Sequence, residues 1–112
     1  MPRRKAPLGE FEQLVLLAIL RLKDDAYGLG IRKELERRAR RAVSRGAFYA
    51  TLDRLEGKGL VKWQAVPPTG SRGGLPQRRF EVTSAGLRAL RASRETLLSM
   101  WQGLEAVLEV RK

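Results

Sequence analysis

The sequence predicts a mainly helical fold, a winged helix-turn-helix of three helices and a β-hairpin wing, with a C-terminal dimerisation helix. Three observations predict it. Apolar residues recur at helical spacing in three successive segments before residue 57. Two short segments that read as strands then flank a Gly- and Pro-rich turn at 67–76. A last segment, about 84–110, returns to helical spacing. At 112 residues the chain has the size of one domain.

The first helix is expected over residues 10–22. Its apolar residues Phe11, Leu14, Val15, Leu17, Ala18, Ile19, Leu20 and Leu22 are too dense for a one-faced surface helix, so it is expected to be largely buried. Asp24 or Asp25 can cap a second helix over about 26–40, with Tyr27, Ile31 and Leu35 four apart on one face. Ser44 can cap a third, in which Phe48, Leu52 and Leu55 face the core. Gly59 can close it in the left-handed conformation. Residues 60–66 and 77–82 read as the two strands of a hairpin, and Thr83 or Ser84 caps the final helix. The expected division is a flexible basic arm at 1–7, a winged-helix domain at 8–83 and a dimerisation helix at 84–112.

Lys and Arg number 23 against 12 acids, a net charge of +11. That surplus points to a polyanion, either nucleic acid or an anionic membrane face. The longest apolar run, 14–20, is far short of the ~20 residues that span a bilayer, and no cleavage site follows it. The chain is therefore read as soluble and cytoplasmic, with no membrane partner. With no Cys and no His, disulfides, zinc fingers, His-ligated metals and Ser-His or Cys-His catalysis are excluded. No cofactor is expected, and no nucleophile–base pair or phosphate loop suggests an enzyme.

The charge is not spread evenly. Residues 37–45 hold five arginines and no acid, and residues 57–80 hold five cations and no acid. These two segments bracket the third helix and build the hairpin, which points to a shaped polyanion-binding face. Arg3, Arg4 and Lys5 form either a solvated terminus or an arm that touches DNA.

Three stretches together resemble the PadR family of transcriptional regulators. They are the run 14–20 with Tyr27-Gly28 leading to Ile31, the segment Gly46-Ala47-Phe48-Tyr49-Ala50-Thr51-Leu52-Asp53-Arg54-Leu55-Glu56-Gly57-Lys58-Gly59-Leu60-Val61, and Arg78-Arg79-Phe80-Glu81-Val82-Thr83-Ser84-Ala85-Gly86. The resemblance covers about residues 8–90. It implies a winged-helix repressor of double-stranded DNA, usually a homodimer through the C-terminal helix. Short members have one such helix in place of a larger helical domain. One position departs from the family pattern, which often has Pro immediately before the Gly at the start of the third helix. Here Arg45 stands there, either as an added phosphate or base contact or as neutral drift at a tolerant position.

The candidate DNA-binding residues are Ser44, Arg45, Gly46, Tyr49, Arg54, Arg72, Arg78 and Arg79. The free amides at the start of the third helix can hold a phosphate. By resemblance Tyr49 contacts a phosphate; it also suits a half-buried position packed on the first helix. Arg54 is flanked by Asp53 and Glu56, so an intrahelical pair competes with DNA contact. Arg72, beside Gly73-Gly74, suits either minor-groove insertion or a disordered loop. Arg78 and Arg79 alternate on a strand, so only one faces DNA, and Arg78 is the expected one.

Positions 87, 90, 94, 97, 101, 104 and 108 form a heptad seam of three repeats, with Arg94 its only polar member. Leu90, Leu97, Trp101, Leu104 and Leu108 are the expected dimer contacts, made with the symmetry mate and with the first helix of either subunit. The alternative is packing back on the chain's own domain. A two-fold dimer would bind a pseudo-palindrome with half-sites about one helical turn apart. With no separate ligand domain, any small-molecule inducer would sit at the dimer interface, where Trp101 is either an anchor or a ligand platform. Two other functions compete with the repressor: a sequence-nonspecific nucleic-acid-binding protein, and a winged-helix adaptor for protein partners.

Overall fold

The computed structural model describes residues 7–67 and 76–109. Four helices, α1 (Glu10–Leu22), α2 (Gly28–Arg38), α3 (Arg45–Gly57) and α4 (Ser84–Trp101), and a hairpin of β1 (Val61–Val66) and β2 (Gln77–Val82) follow in the order α1-α2-α3-β1-β2-α4. This is the winged-helix order expected from the sequence. Phe48, Leu52 and Leu55 of α3 are almost fully buried, in one cluster with Val15, Leu16 and Ile19 of α1 and Ile31 and Leu35 of α2. Leu60, Val61, Phe80 and Val82 carry that core into the hairpin.

Both ends of α3 form as the sequence anticipates. The Ser44 hydroxyl accepts from the Ala47 N–H at 3.1 Å. At the other end Gly59 takes φ 77°, while the N–H groups of Gly59 and Leu60 reach back to the Glu56 and Leu55 carbonyls at 2.9 and 3.0 Å. That pattern is a Schellman turn, and it delivers the chain straight into β1. The strands pair antiparallel from Val61↔Val82 to Val66↔Gln77. Trp63, Arg78 and Phe80 therefore share one face, and Gln64, Arg79 and Glu81 the other.

One expectation holds with a refinement and two need correction. First, α1 is largely buried as expected, with Leu17 44% and Leu20 39% exposed along one side. They line an apolar groove with Leu87, Leu90, Leu97 and Trp101 of α4. Second, neither Asp24 nor Asp25 caps α2; both lie in a 3-10 turn, and α2 starts only at Gly28. Backbone bonding to the hairpin decides this: the Ala26 carbonyl accepts from the Phe80 N–H at 2.9 Å, and Tyr27 pairs with Arg79 in an isolated antiparallel bridge. Ala26, in a tight turn, and the extended Tyr27 are thus recruited to the edge of β2. Helix α2 also stops at Arg38, and Arg40 takes the left-handed φ of 54°.

Third, the last helix does not run to residue 110. It ends at Trp101, where Gly103 takes φ 87°, and a short 3-10 turn follows at Glu105–Leu108. Only glycine adopts that conformation without strain, so Gly103 is a helix stop. Leu104 and Leu108 lie beyond the break. The helical part of the seam is positions 87, 90, 94, 97 and 101, two repeats rather than three.

The start of α4 is held tightly. The Thr83 hydroxyl accepts from the Gly86 N–H at 3.0 Å and donates to the Gly59 carbonyl at 2.7 Å. Gly86 abuts the Leu60 carbonyl so closely that a methyl would overlap it and lie 2.7 Å from Val82 Cγ1. From Arg94 to Trp101, by contrast, every residue of α4 is exposed.

Candidate nucleic-acid interface

Helix α3 presents two opposite faces. Phe48, Thr51, Leu52 and Leu55 are buried, while Gly46, Ala50, Asp53 and Gly57 are exposed. The outward stripe carries almost no side-chain bulk near its start, so a partner's surface can come close to the helix. A Cβ on Gly46 would meet nothing within 4 Å, so nothing in the fold itself demands a glycine there.

Tyr49 lies at the edge between these faces. Its ring meets Phe48 edge-on at 5.0 Å, and its hydroxyl nests on Gly28 at the start of α2. A methyl on Gly28 would overlap that hydroxyl, which explains the Tyr27-Gly28 pair seen in the sequence. Two arginines flank the ring: Arg45 Cζ stands 5.8 Å and Arg78 Cζ 5.9 Å from its centroid. Arg78 also lies 4.9 Å from the Trp63 centroid and 5.8 Å from that of Phe80. The first turn of α3 and the wing are joined by this stack of rings and guanidinium groups. Register places Arg79 on the opposite face of the hairpin.

The two acid-free segments of sequence are not acid-free in space. Arg37 and Arg38 pair with the buried Glu34, and Arg41 with Glu10 at 2.8 Å. Lys62 reaches Glu81 at 4.0 Å. Arg54 pairs with neither Asp53 nor Glu56; its Nε donates to Glu12 Oε2 of α1 at 3.3 Å, and Lys58 Nζ donates to the same oxygen at 2.9 Å. Burial resists ionisation of Glu12. Hydrogen bonds from the Gly9 N–H, Lys58 and Arg54, with the Lys58 charge, outweigh it and hold the carboxyl below its ordinary pKa. Among the described residues Arg40, Arg45, Arg78 and Arg79 have no carboxylate within ion-pair distance.

Ser44, Arg45, Gly46, Tyr49 and Arg78 therefore converge on one end of α3, whereas Arg54 is tied to α1. Arg72 and the basic residues at 3–5 lie outside the described residues. Sequence reading missed three supporting residues. Trp63 carries Arg78 and is itself anchored by an Nε1–H bond to Glu56 Oε2 at 3.0 Å. Gly28 makes room for Tyr49, and Glu12 ties α1 to α3. Trp63 could have been found as the cross-strand partner of Phe80; Glu12 had only its spacing from Gly9. Among the described residues no helix is long and apolar enough to cross a membrane, and no acidic cluster could hold a metal.

The profile of the PadR-like family of transcriptional regulators matches residues 16–92. The chain belongs to that family. Its solved relatives share the fold. A PadR-family regulator from Eggerthella lenta DSM 2243 is 26% identical with a TM-score of 0.65, the match covering 91% of this chain and 88% of that one. A PadR-like transcription factor from Bacteroides fragilis is 25% identical with a TM-score of 0.59, covering 88% and 86%. A transcriptional regulator from Clostridium thermocellum is 15% identical with a TM-score of 0.66, covering 87% and 91%. No curated protein sequence matches the chain significantly. This PadR-like protein is a transcriptional regulator, not an enzyme, and its hairpin is the wing of a winged helix.

Proposed function

We propose that this PadR-like regulator is a homodimeric repressor of a pseudo-palindromic operator in double-stranded DNA. Helix α3 enters the major groove of each half-site and the wing lies along the adjoining backbone. The convergence of Arg45, Tyr49 and Arg78 on the open end of α3 carries this reading. Two unpaired guanidinium groups and a phenol hydroxyl with no hydrogen bond among the described residues form one surface beside the capped helix start. Ser44 takes up the Ala47 N–H, and Gly46, with no side chain, leaves the Arg45 and Gly46 amides open to a phosphate. Arg79 contributes charge from the far face of the wing, Arg72 from its tip, and Arg54 only if it leaves Glu12.

The winged-helix domain is then 8–83, the arm 1–7, and the dimerising segment 84–112. Two features support the dimer: α4 projects a bare apolar stripe beyond Ser93, and the α1–α4 groove is open. Leu90, Leu97 and Trp101 lie on the helical seam, and Leu104 and Leu108 join from beyond Gly103. A small-molecule inducer, if one acts, would bind between the paired α4 helices beside Trp101.

Binding is measured by fluorescence anisotropy on duplex DNA from upstream of the protein's own gene, with excess unrelated DNA as competitor. If roughly four cations per subunit neutralise phosphates, log K falls against log[salt] with a slope near −7 for the dimer. Arg45→Ala and Tyr49→Phe each weaken binding. A slope near zero, or no loss from either variant, refutes the DNA surface. Binding that unrelated DNA displaces equally refutes the operator in favour of a nonspecific coating role. Light scattering that finds a monomer at micromolar concentration refutes the dimer.

A further inference from the structure

Resting on the placement of α3 in the major groove, we propose that Asp53 is a specificity-determining residue that selects cytosine by accepting a hydrogen bond from its N4 amino group. Residues 46, 50, 53 and 57 follow one another at steps of four, three and four, which keeps them on one side of the helix. All four are exposed, opposite the buried Phe48, Leu52 and Leu55. Asp53 is the one member of that stripe with a side chain longer than a methyl group. Its short side chain can reach a base edge only if the helix lies close, and Gly46, Ala50 and Gly57 hold nothing that would keep it away.

The charge of Asp53 is what requires a donor. Within α3 the other acid, Glu56, is held by Trp63. Of the acids on α1 and α2, Glu12 has Arg54 and Lys58, Glu34 has Arg37 and Arg38, and Glu10 has Arg41, while Asp24, Asp25 and Glu36, which are not on α3, have none among the described residues. Asp53 forms no ion pair and no side-chain hydrogen bond among the described residues, although Arg54 is its neighbour in sequence. A bare carboxylate brought between two phosphate backbones is repelled, so it weakens binding to every sequence that offers it nothing. The major groove contains two kinds of amino donor, cytosine N4 and adenine N6. Adenine N6 sits beside the N7 acceptor, whose lone pair would oppose a carboxylate. Cytosine N4 has the C5–H edge on one side and the O6 acceptor of its paired guanine on the other, whereas adenine N6 has an acceptor on both sides, its own N7 and thymine O4. Cytosine is therefore the base that an aspartate at this position accepts, and the other bases are rejected by charge.

The test compares the full-length protein with Asp53→Ala and Asp53→Asn by selecting bound duplexes from a randomised pool. Each preferred sequence is then measured with single base-pair changes. The wild-type protein should require C·G at one position in each half-site, with about 5- to 150-fold weaker binding to the other pairs. Asp53→Ala should lose that preference alone and bind unrelated DNA more tightly. Asp53→Asn should move the preference toward adenine, because a neutral amide can donate to N7 and accept from N6. Both variants change an exposed residue, and unchanged thermal unfolding confirms that they fold. Retention of the same base preference by both variants overturns the proposal while leaving DNA recognition by α3 standing. A wild-type protein that selects no sequence at all overturns both.

Discussion

Replacing Gly28 with Ala should damage the molecule through Tyr49, and the damage should vanish when the Tyr49 hydroxyl is removed. The added methyl would overlap that hydroxyl and lie 3.2 Å from Cζ of the ring. Restoring ordinary contact requires the phenol to retreat by roughly 1 Å. It cannot do so freely, because the ring is packed edge-on against the fully buried Phe48. Overpacking of this kind costs about 1–3 kcal/mol. Alanine regains up to ~1 kcal/mol over glycine in a helix, and less at its first position, so a net loss of about 1–2 kcal/mol is expected. For a domain of this size each kcal/mol lowers Tm by about 4–8 °C. Displacing Tyr49 also disturbs its stack with Arg45 and Arg78, so DNA affinity falls beyond what unfolding explains. The assay is a double-mutant cycle of Gly28→Ala and Tyr49→Phe, read by thermal or urea unfolding. In the Phe background the nearest contact is the 3.2 Å approach to Cζ, which small shifts relieve, so a coupling of ~1 kcal/mol or more is expected. An equal cost of Gly28→Ala in both backgrounds would falsify the steric account.

Gly86→Ala should be worse, because the methyl meets the Leu60 carbonyl, a backbone group that cannot turn aside; a loss of ~3 kcal/mol or more in urea unfolding is expected. Ser44→Ala removes the hydroxyl that accepts from the Ala47 N–H and should cost about 1 kcal/mol by the same measurement. Glu12→Gln should cost about 1 kcal/mol near neutral pH, a figure reduced by the solvent around Arg54 and Lys58. Because the folded pKa of Glu12 is lowered, its ionic contribution is fully present above the ordinary value of 4.5 and is lost as pH falls through the folded value. The stability gap between wild type and Glu12→Gln should thus close on acidification, and a gap that stays constant from pH 7 to pH 3 would show that the charge contributes nothing.

Much of the fold was legible because it rests on short-range chemistry. The spacing of Phe48, Leu52 and Leu55, the hydroxyl of Ser44 and the freedom of Gly59 each act within a turn or two of chain, so residue order alone reveals them. Asp24 and Asp25 misled for the opposite reason: the conformation of Ala26 and Tyr27 is decided by hydrogen bonding to β2, more than fifty residues away. Gly103 carried its signal openly, but a heptad count that ran through it outweighed a single residue. Among the site residues, Arg45, Tyr49 and Arg78 were found as types suited to phosphate. Their meeting at one ring was not legible, because it depends on which face of β2 packs toward α3.

The sequence by itself determined the helical order, the position of the hairpin, the net positive charge and the absence of thiol or imidazole chemistry, since each follows from residue type and local spacing. Only the tertiary structure decided which of the cations are available. Glu10 and Glu12 lie more than thirty residues from their partners in sequence, yet folding carries them against Arg41, Arg54 and Lys58, whereas Glu34 meets Arg37 and Arg38 within one turn of α2. Electrostatic interaction depends on distance through space, not on separation along the chain. The same packing that built the core therefore tied Arg41, Arg54 and Lys58 to carboxylates of α1 and left Arg45 and Arg78 open beside Tyr49.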